Sequence, residues 1–159
     1  MAQRPGFNWG GLSMGSKGAL IAGGLMFIDL FLPWNRACSG AGIPGVPEFC
    51  FSASGWQTAF GVLAGLLTLA LIVWEGLNAA GALSSMALPK KTVTAALAGG
   101  AGLFALLRFV LNLEASSFGA YVGVILALAL LYVAYTNWQE QQAGAGGSMS
   151  PPPPAPPAA

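Results

Sequence analysis

Four long apolar stretches constrain this chain more than any other feature of its sequence. They are residues 18–34, 55–77, 92–113 and 118–138. The length of each falls within the ~17–25 residues with which an α-helix crosses the hydrocarbon core of a bilayer. Because lipid offers no partner to an exposed backbone group, we predict that all four are transmembrane helices of an all-α membrane protein, packed as a four-helix bundle.

The composition supports lipid as the solvent for most of the chain. Charged residues make up 7% of the sequence and hydrophobic residues 55%, with a mean hydropathy of +0.68. Soluble domains carry about 25% charged residues, which supply their polar coat. The net charge of +1 provides no basic patch for phosphates, so we predict no nucleic-acid partner.

Basic residues beside the spans predict the orientation of the chain. Lys17 precedes the first span, Lys90 and Lys91 lie between the second and third, and Arg36 lies in a loop on the opposite face. Because cytoplasmic loops carry an excess of Lys and Arg, both termini are predicted to be cytoplasmic. Glu75 then lies at the cytoplasmic end of its span, where we expect a solvated charge beside the lysines.

Both ends of the chain differ from the predicted transmembrane domain, residues 17–138. Residues 1–16 form a glycine-rich cytoplasmic segment, and the chain ends in a proline-rich sequence. From residue 143 onward Met149 is the one large apolar residue, which is too little to build a core. We therefore predict a disordered cytoplasmic tail over residues 139–159.

The two cysteines, Cys38 and Cys50, lie in the predicted outer loop, residues 35–54. That compartment permits disulfides, and the glycines and prolines between the cysteines favour a turn. We predict a structural disulfide; the alternative, a redox pair, usually has a Cys-x-x-Cys motif. The sequence contains no histidine and two cysteines, which is too few for a zinc ligand set. We accordingly predict no catalytic residue, metal or cofactor, and no enzyme activity.

Asp29 and Arg108 are charged residues inside predicted spans, each five residues from the outer end. Both would lie ~7 Å below the outer boundary. Since charges in lipid are costly and tend to pair, we predict an intramembrane Asp29–Arg108 pair. Two alternatives stay open: Arg108 extends toward Glu114 or the lipid headgroups, or Asp29 is a proton or cation site in a transporter.

Small residues at four-residue spacing mark helix-packing faces. They are Gly61 and Gly65 in the second span, and Gly119, Gly123 and Ala127 in the fourth. Such motifs let two helix backbones approach closely. Packing within the bundle and a face for another protomer are both possible uses.

The two halves of the chain are similar in order and in sequence. Gly61-Val62-Leu63 corresponds to Gly123-Val124-Ile125 at an offset of 62, as does Trp56 to Phe118. A parallel repeat of two helical hairpins, known among transporters, would give this pattern. Chains rich in Ala, Gly, Leu and Val also produce such matches by chance, so the repeat is a hypothesis.

Short motifs carry a resemblance to known proteins: Phe31-Leu32-Pro33-Trp34, Ser54-Gly55-Trp56, Trp74-Glu75-Gly76 and Leu107-Arg108. Over residues 17–138 the chain resembles small four-helix integral membrane proteins of unassigned function from actinobacteria. The resemblance implies a bacterial plasma membrane and no particular activity. Trp34 followed by two loop cysteines is also similar to claudin-type tetraspans, in architecture alone.

Two functions follow as hypotheses. The first is a non-enzymatic accessory or structural subunit of the membrane, which associates with itself or with other membrane subunits. The second is a small transporter or ion-coupled channel that uses Asp29 and Arg108.

Overall fold

The computed structural model describes residues 9–39, 47–83 and 89–146, and these form four helices and one small antiparallel sheet. The helices are α1 (Met14–Asp29), α2 (Ala59–Ala79), α3 (Lys90–Leu111) and α4 (Phe118–Gly146). The strands are β1 (Pro33–Ser39) and β2 (Phe49–Ser54), between α1 and α2. Residues 1–8 of the predicted N-terminal segment lie outside the described residues.

The four helices pack as a bundle with small residues inside. Helices α1 and α3 each pack against both α2 and α4, so α1 and α3 lie on a diagonal. Alanines fill much of the core, among them Ala19, Ala64 and Ala98, each fully buried. Many of the large apolar side chains instead point outward, and Leu66 and Leu128 are each 54% exposed. Small residues inside and large ones outside are typical of helices that pack in lipid.

Within the described residues, three helices are long and apolar enough to cross a membrane, namely Ala59–Ala79, Lys90–Leu111 and Phe118–Ala143. Helix α1 has 16 residues and falls just short of the ~17–25 that a span usually needs. The prediction that this helix reaches Trp34 is wrong, because α1 ends at Asp29 and β1 begins at Pro33. Proline disfavours helical backbone in the residue before it and donates no hydrogen bond.

The loop between α1 and α2 is a β-hairpin, so the all-α prediction is wrong in this part of the chain. Strands β1 and β2 pair antiparallel, with Cys38 opposite Cys50. The turn that joins them, residues 40–46, lies outside the described residues. We call β1 and β2 together the outer hairpin, its side of the bundle the hairpin end, and the opposite side, with Lys17, Lys90 and Lys91, the lysine end.

Helix α4 continues past Trp138, where the sequence predicted the start of a disordered tail. It ends at Gly146, so the prediction is wrong for residues 139–146. Contacts with the start of α3 hold this extension: Lys91 and Glu140 form an ion pair at 2.7 Å, and Gln141 donates a hydrogen bond to Thr92. The remainder of the predicted tail, residues 147–159, lies outside the described residues.

Candidate functional site

Polar side chains are buried at both ends of the bundle. Asp29 and Arg108 lie at the hairpin end, and Glu75, Thr94 and Asn137 at the lysine end; each is at most 4% exposed. A buried polar group is costly unless it has a partner, so the partners of each group indicate what it does.

Arg108 binds the residues around the outer hairpin. Its Nη1 donates to Gly55 O at 2.5 Å and to Thr58 Oγ1, while Nη2 donates to Ser54 O at 3.0 Å and to Asn35 Oδ1 at 3.2 Å. These acceptors come from β1, the end of β2 and the turn that enters α2. One guanidinium therefore fixes both strands of the hairpin to α3.

Trp34 fills the space beneath the hairpin and is 1% exposed. Its Nε1 donates to the backbone carbonyl of Asp29 at 3.1 Å, and the Arg108 guanidinium carbon lies 5.1 Å from the ring centroid. A cation over an aromatic face is attractive, more so away from water. The backbone of Trp34 also accepts a hydrogen bond from Ser117 N at 2.9 Å, which joins β1 to the start of α4.

Asp29 and Arg108 do not form the predicted ion pair. Among the described residues, the ion pair that forms is Lys91 with Glu140. The prediction fails because α1 and α3 lie on a diagonal and because oxygens around the outer hairpin already accept hydrogen bonds from both terminal nitrogens of the guanidinium. Neither carboxylate oxygen of Asp29 has a hydrogen-bond partner among the described residues, although Asp29 is 2% exposed.

Gly61 and Gly65 of α2 leave room for groups at the hairpin end. A Cβ at Gly61 would lie 1.8 Å from Gly55 O, and a Cβ at Gly65 would lie 2.3 Å from the Trp56 ring. Both positions are too close for any side chain. These glycines therefore serve contacts within the chain.

The small residues of α4 likewise leave room for groups of the same chain, here for Pro33 and Trp34 of β1 and for Gly102 of α3. A Cβ at Gly119 would lie 2.7 Å from Pro33 O, and one at Gly123 would lie 2.2 Å from the Trp34 ring. Ala127 is fully buried, and its carbonyl oxygen lies 2.8 Å from where a Cβ at Gly102 of α3 would stand. Of the two uses considered from the sequence, internal packing accounts for all three positions.

The buried charges face equivalent glycines of the two halves. A Cβ at Gly61 would lie 2.7 Å from Arg108 Nη1, and a Cβ at Gly123 would lie 2.8 Å from Asp29 Oδ2. In both cases the charge lies in the last turn of the first helix of one hairpin, and the glycine lies in the first two turns of the second helix of the other. A parallel repeat of two hairpins would produce this exchange, which favours the repeat hypothesis.

Cys38 and Cys50 lie at disulfide distance, with their sulfurs 2.08 Å apart across the outer hairpin. Glu48 lies close enough to form a three-residue cluster with them. Metal ligation by cysteine needs a thiolate, which a disulfide does not offer. The cluster is therefore a covalent cross-link and does not fit a metal.

Glu75 is not the solvated charge that the sequence suggested. It is 1% exposed and accepts a hydrogen bond from Thr94 Oγ1, which joins α2 to α3 at the lysine end. Lys91 pairs with Glu140 instead. The sequence signal for this contact was weak: Thr94 shares a helical face with Ala98 and the other small residues that α3 turns to the core.

Comparison with protein-family models, curated proteins and solved structures gives no match. The site itself must therefore carry the argument for function. Its residues bind the disulfide-linked outer hairpin to the helices of the bundle.

Proposed function

We propose that this chain is a multi-pass protein of the bacterial plasma membrane, with four membrane-crossing segments and both termini in the cytoplasm. The three long apolar helices and the outward-facing leucines support insertion into lipid. The lysines at one end support a cytoplasmic lysine end, because positive loops stay inside. The disulfide at the opposite end suits an oxidising compartment.

The contacts of α1 with α4 support a fourth crossing despite the shortness of α1. At the lysine end Gly15 packs against Asn137, and at the hairpin end Gly119 packs against Pro33. The length of α4 between these two contacts is ~27 Å at 1.5 Å per residue. This is close to the ~30 Å of the hydrocarbon core, so α1 and the turn after it cover the same depth as α4.

Cysteine labelling of intact cells tests this topology. In a chain whose native cysteines stay oxidised, Glu114→Cys should react with a membrane-impermeant maleimide from outside. Gln142→Cys should react only after the cells are permeabilised. The reverse pattern would overturn the orientation, and a purified chain that is monodisperse without amphiphile would overturn the membrane proposal altogether.

Within that membrane, the chain acts as a non-enzymatic accessory or structural subunit that presents the outer hairpin to itself or to another membrane subunit. The Arg108 network carries this proposal. Four hydrogen bonds and a ring contact from one buried side chain fix the position of a surface element. A hairpin held this firmly loses little freedom when a partner binds it, which favours association.

The outer hairpin also has a surface suited to recognition. Phe49 and Phe51 are two residues apart in β2, so their side chains lie on the same face of the strand. They are 61% and 77% exposed. Phe118, at the start of α4, is also 77% exposed and lines a depression together with Phe51. Exposed aromatic residues are enriched where proteins bind each other.

Site-specific cross-linking in native membranes tests the accessory role. A photoreactive phenylalanine analogue at Phe51 should give one discrete protein adduct, either with a second copy or with another membrane subunit. The same analogue at Leu69, a lipid-facing residue of α2, is the control and should give none. Arg108→Met should weaken the Phe51 adduct, whereas Lys90→Met, which removes an exposed cation at the opposite end of the bundle, should not. The absence of any adduct at Phe51 would refute the proposal.

One observation favours a second candidate, a small transporter or ion-coupled channel. The buried Asp29 carboxylate has no hydrogen-bond partner among the described residues, and a proton or a cation would satisfy it. Liposomes that contain the purified protein and a pH-sensitive dye test this candidate. A proton flux that Asp29→Asn abolishes while the bundle stays folded supports it. A wild-type protein that gives no flux refutes it.

A further inference from the structure

A groove of about 790 Å³ lies between α1 and α4 and opens sideways from the bundle. Its walls are almost entirely apolar. They include Gly18, Ile21 and Leu25 from α1, and Leu126, Ala129 and Tyr132 from α4. The groove exists because the α1 face toward α4 carries small residues there, while larger side chains form the rims.

The groove has a basic residue at the lysine end. Lys17 lines it and is half-buried. Glu140 lines it too, but its carboxylate is paired with Lys91 at 2.7 Å. Lys17 therefore contributes one positive charge that no ion pair neutralises among the described residues.

The groove covers one leaflet of the bilayer and no more. On α4 the lining residues begin with Glu140 at the lysine end, and the part of the groove beyond it, from Thr136 to Leu126, has a length of ~15 Å. That is about half of the ~30 Å hydrocarbon core. Toward the hairpin end the two helices close on each other, where Gly123 meets Trp34 and Asp29.

We propose that this groove binds an acyl chain of an anionic glycerophospholipid from the cytoplasmic leaflet, with its phosphate on the Lys17 ammonium. The inference rests on the membrane topology proposed above. An apolar slot one leaflet deep, with a cation at the headgroup level, matches such a lipid in length and in charge. A transmembrane helix of a second copy would need a groove that runs the full depth of the bundle.

Native mass spectrometry of the delipidated protein tests this site. The probes are palmitoyl-oleoyl phosphatidylglycerol and the phosphatidylcholine with the same chains. The wild-type protein should retain one phosphatidylglycerol, with a preference over phosphatidylcholine of about fivefold, the effect of one lysine near an anionic headgroup. Lys17→Gln should abolish that preference, and Lys17→Arg should keep it.

A second variant tests the apolar part of the groove. Ala129→Leu fills the groove from α4 and should reduce retention of both lipids. The matched controls are Lys90→Gln, an exposed lysine at the same end, and Ala70→Leu, an exposed alanine of α2; both should behave as wild type.

Equal retention of the two lipids by the wild-type protein, or an unchanged preference in Lys17→Gln, would overturn the proposal. So would a dimer that Ala129→Leu converts to monomers, because a second copy would then occupy the groove. None of these results would contradict the proposed insertion of the chain into the membrane. A failure of the topology itself would instead show in the cysteine labelling described above.

Discussion

Replacement of Arg108 by methionine is the sharpest test of how this protein is built. Methionine replaces the arginine stem as far as Nε and removes the guanidinium nitrogens that bind Gly55, Ser54, Thr58 and Asn35. The carbonyl oxygens of Gly55 and Ser54 then lose a donor in a buried site. The substitution should therefore loosen the outer hairpin from α3 while leaving the apolar core between the helices unchanged.

The expected loss of stability follows from the number of bonds. Hydrogen bonds between side chains in a membrane average about 0.6 kcal/mol each, which sets a lower limit near 2 kcal/mol for four. Removal of one partner from a buried charged network costs about 3–5 kcal/mol in soluble proteins. We therefore expect Arg108→Met to lower the free energy of unfolding by about 3 kcal/mol.

Two measurements check this value. Unfolding in mixed micelles gives the change in free energy, and hydrogen exchange reports the hairpin amides directly, which should exchange roughly 100-fold faster. Arg36→Met removes an exposed arginine from the same hairpin and should change neither quantity. If Arg108→Met unfolds like wild type and its hairpin amides exchange at the wild-type rate, the guanidinium does not hold the hairpin and the reasoning is wrong.

Three further predictions concern other contacts. Gly123→Ala puts a methyl group against the Trp34 ring and should destabilise by about 1–3 kcal/mol in thermal unfolding, whereas Gly24→Ala, with open space around it, should be neutral or slightly stabilising. Replacing both hairpin cysteines with serine should cost about 3 kcal/mol, and mass measurement of the unreduced wild type should find no free thiol. Thr94→Val leaves a buried carboxylate oxygen without its donor and should cost about 1–3 kcal/mol in the same unfolding assay, while an unchanged stability would show that this contact is dispensable.

The sequence predicted the helices well, because length and hydropathy determine where helices form in lipid. It predicted their ends poorly. Helix α1 ends before Pro33, where β1 begins. Trp34, predicted as the last residue of the first span, instead lies in β1 with its ring packed beside Asp29 and Arg108. Helix α4 runs eight residues beyond Trp138, and this extension contacts α3 through the Glu140–Lys91 ion pair and the Gln141–Thr92 hydrogen bond, between residues far apart in sequence.

The buried charges could be found from the sequence, but their partners could not. Matching depth suggested that Asp29 and Arg108 meet, since depth is readable from position in a span. Which helices are neighbours is not readable in this way, and α1 and α3 turn out to be diagonal. A charge on one helix of a four-helix bundle has two adjacent helices and one diagonal helix to face, so equal depth alone leaves the partner open.

The contrast between the two charges explains why a hydrogen-bond network forms around Arg108 and not around Asp29. Arg108 has several donors, so it can bind oxygens from β1, from the end of β2 and from the turn that enters α2, and still face the Trp34 ring. Asp29 can only accept, and the backbone amides around it are already used in the turn that ends α1. A reversed arrangement, with the carboxylate on α3, would offer nothing to the carbonyls of Ser54 and Gly55. Arg108 on α3 is thus the residue whose hydrogen bonds attach both strands of the outer hairpin to the helical bundle.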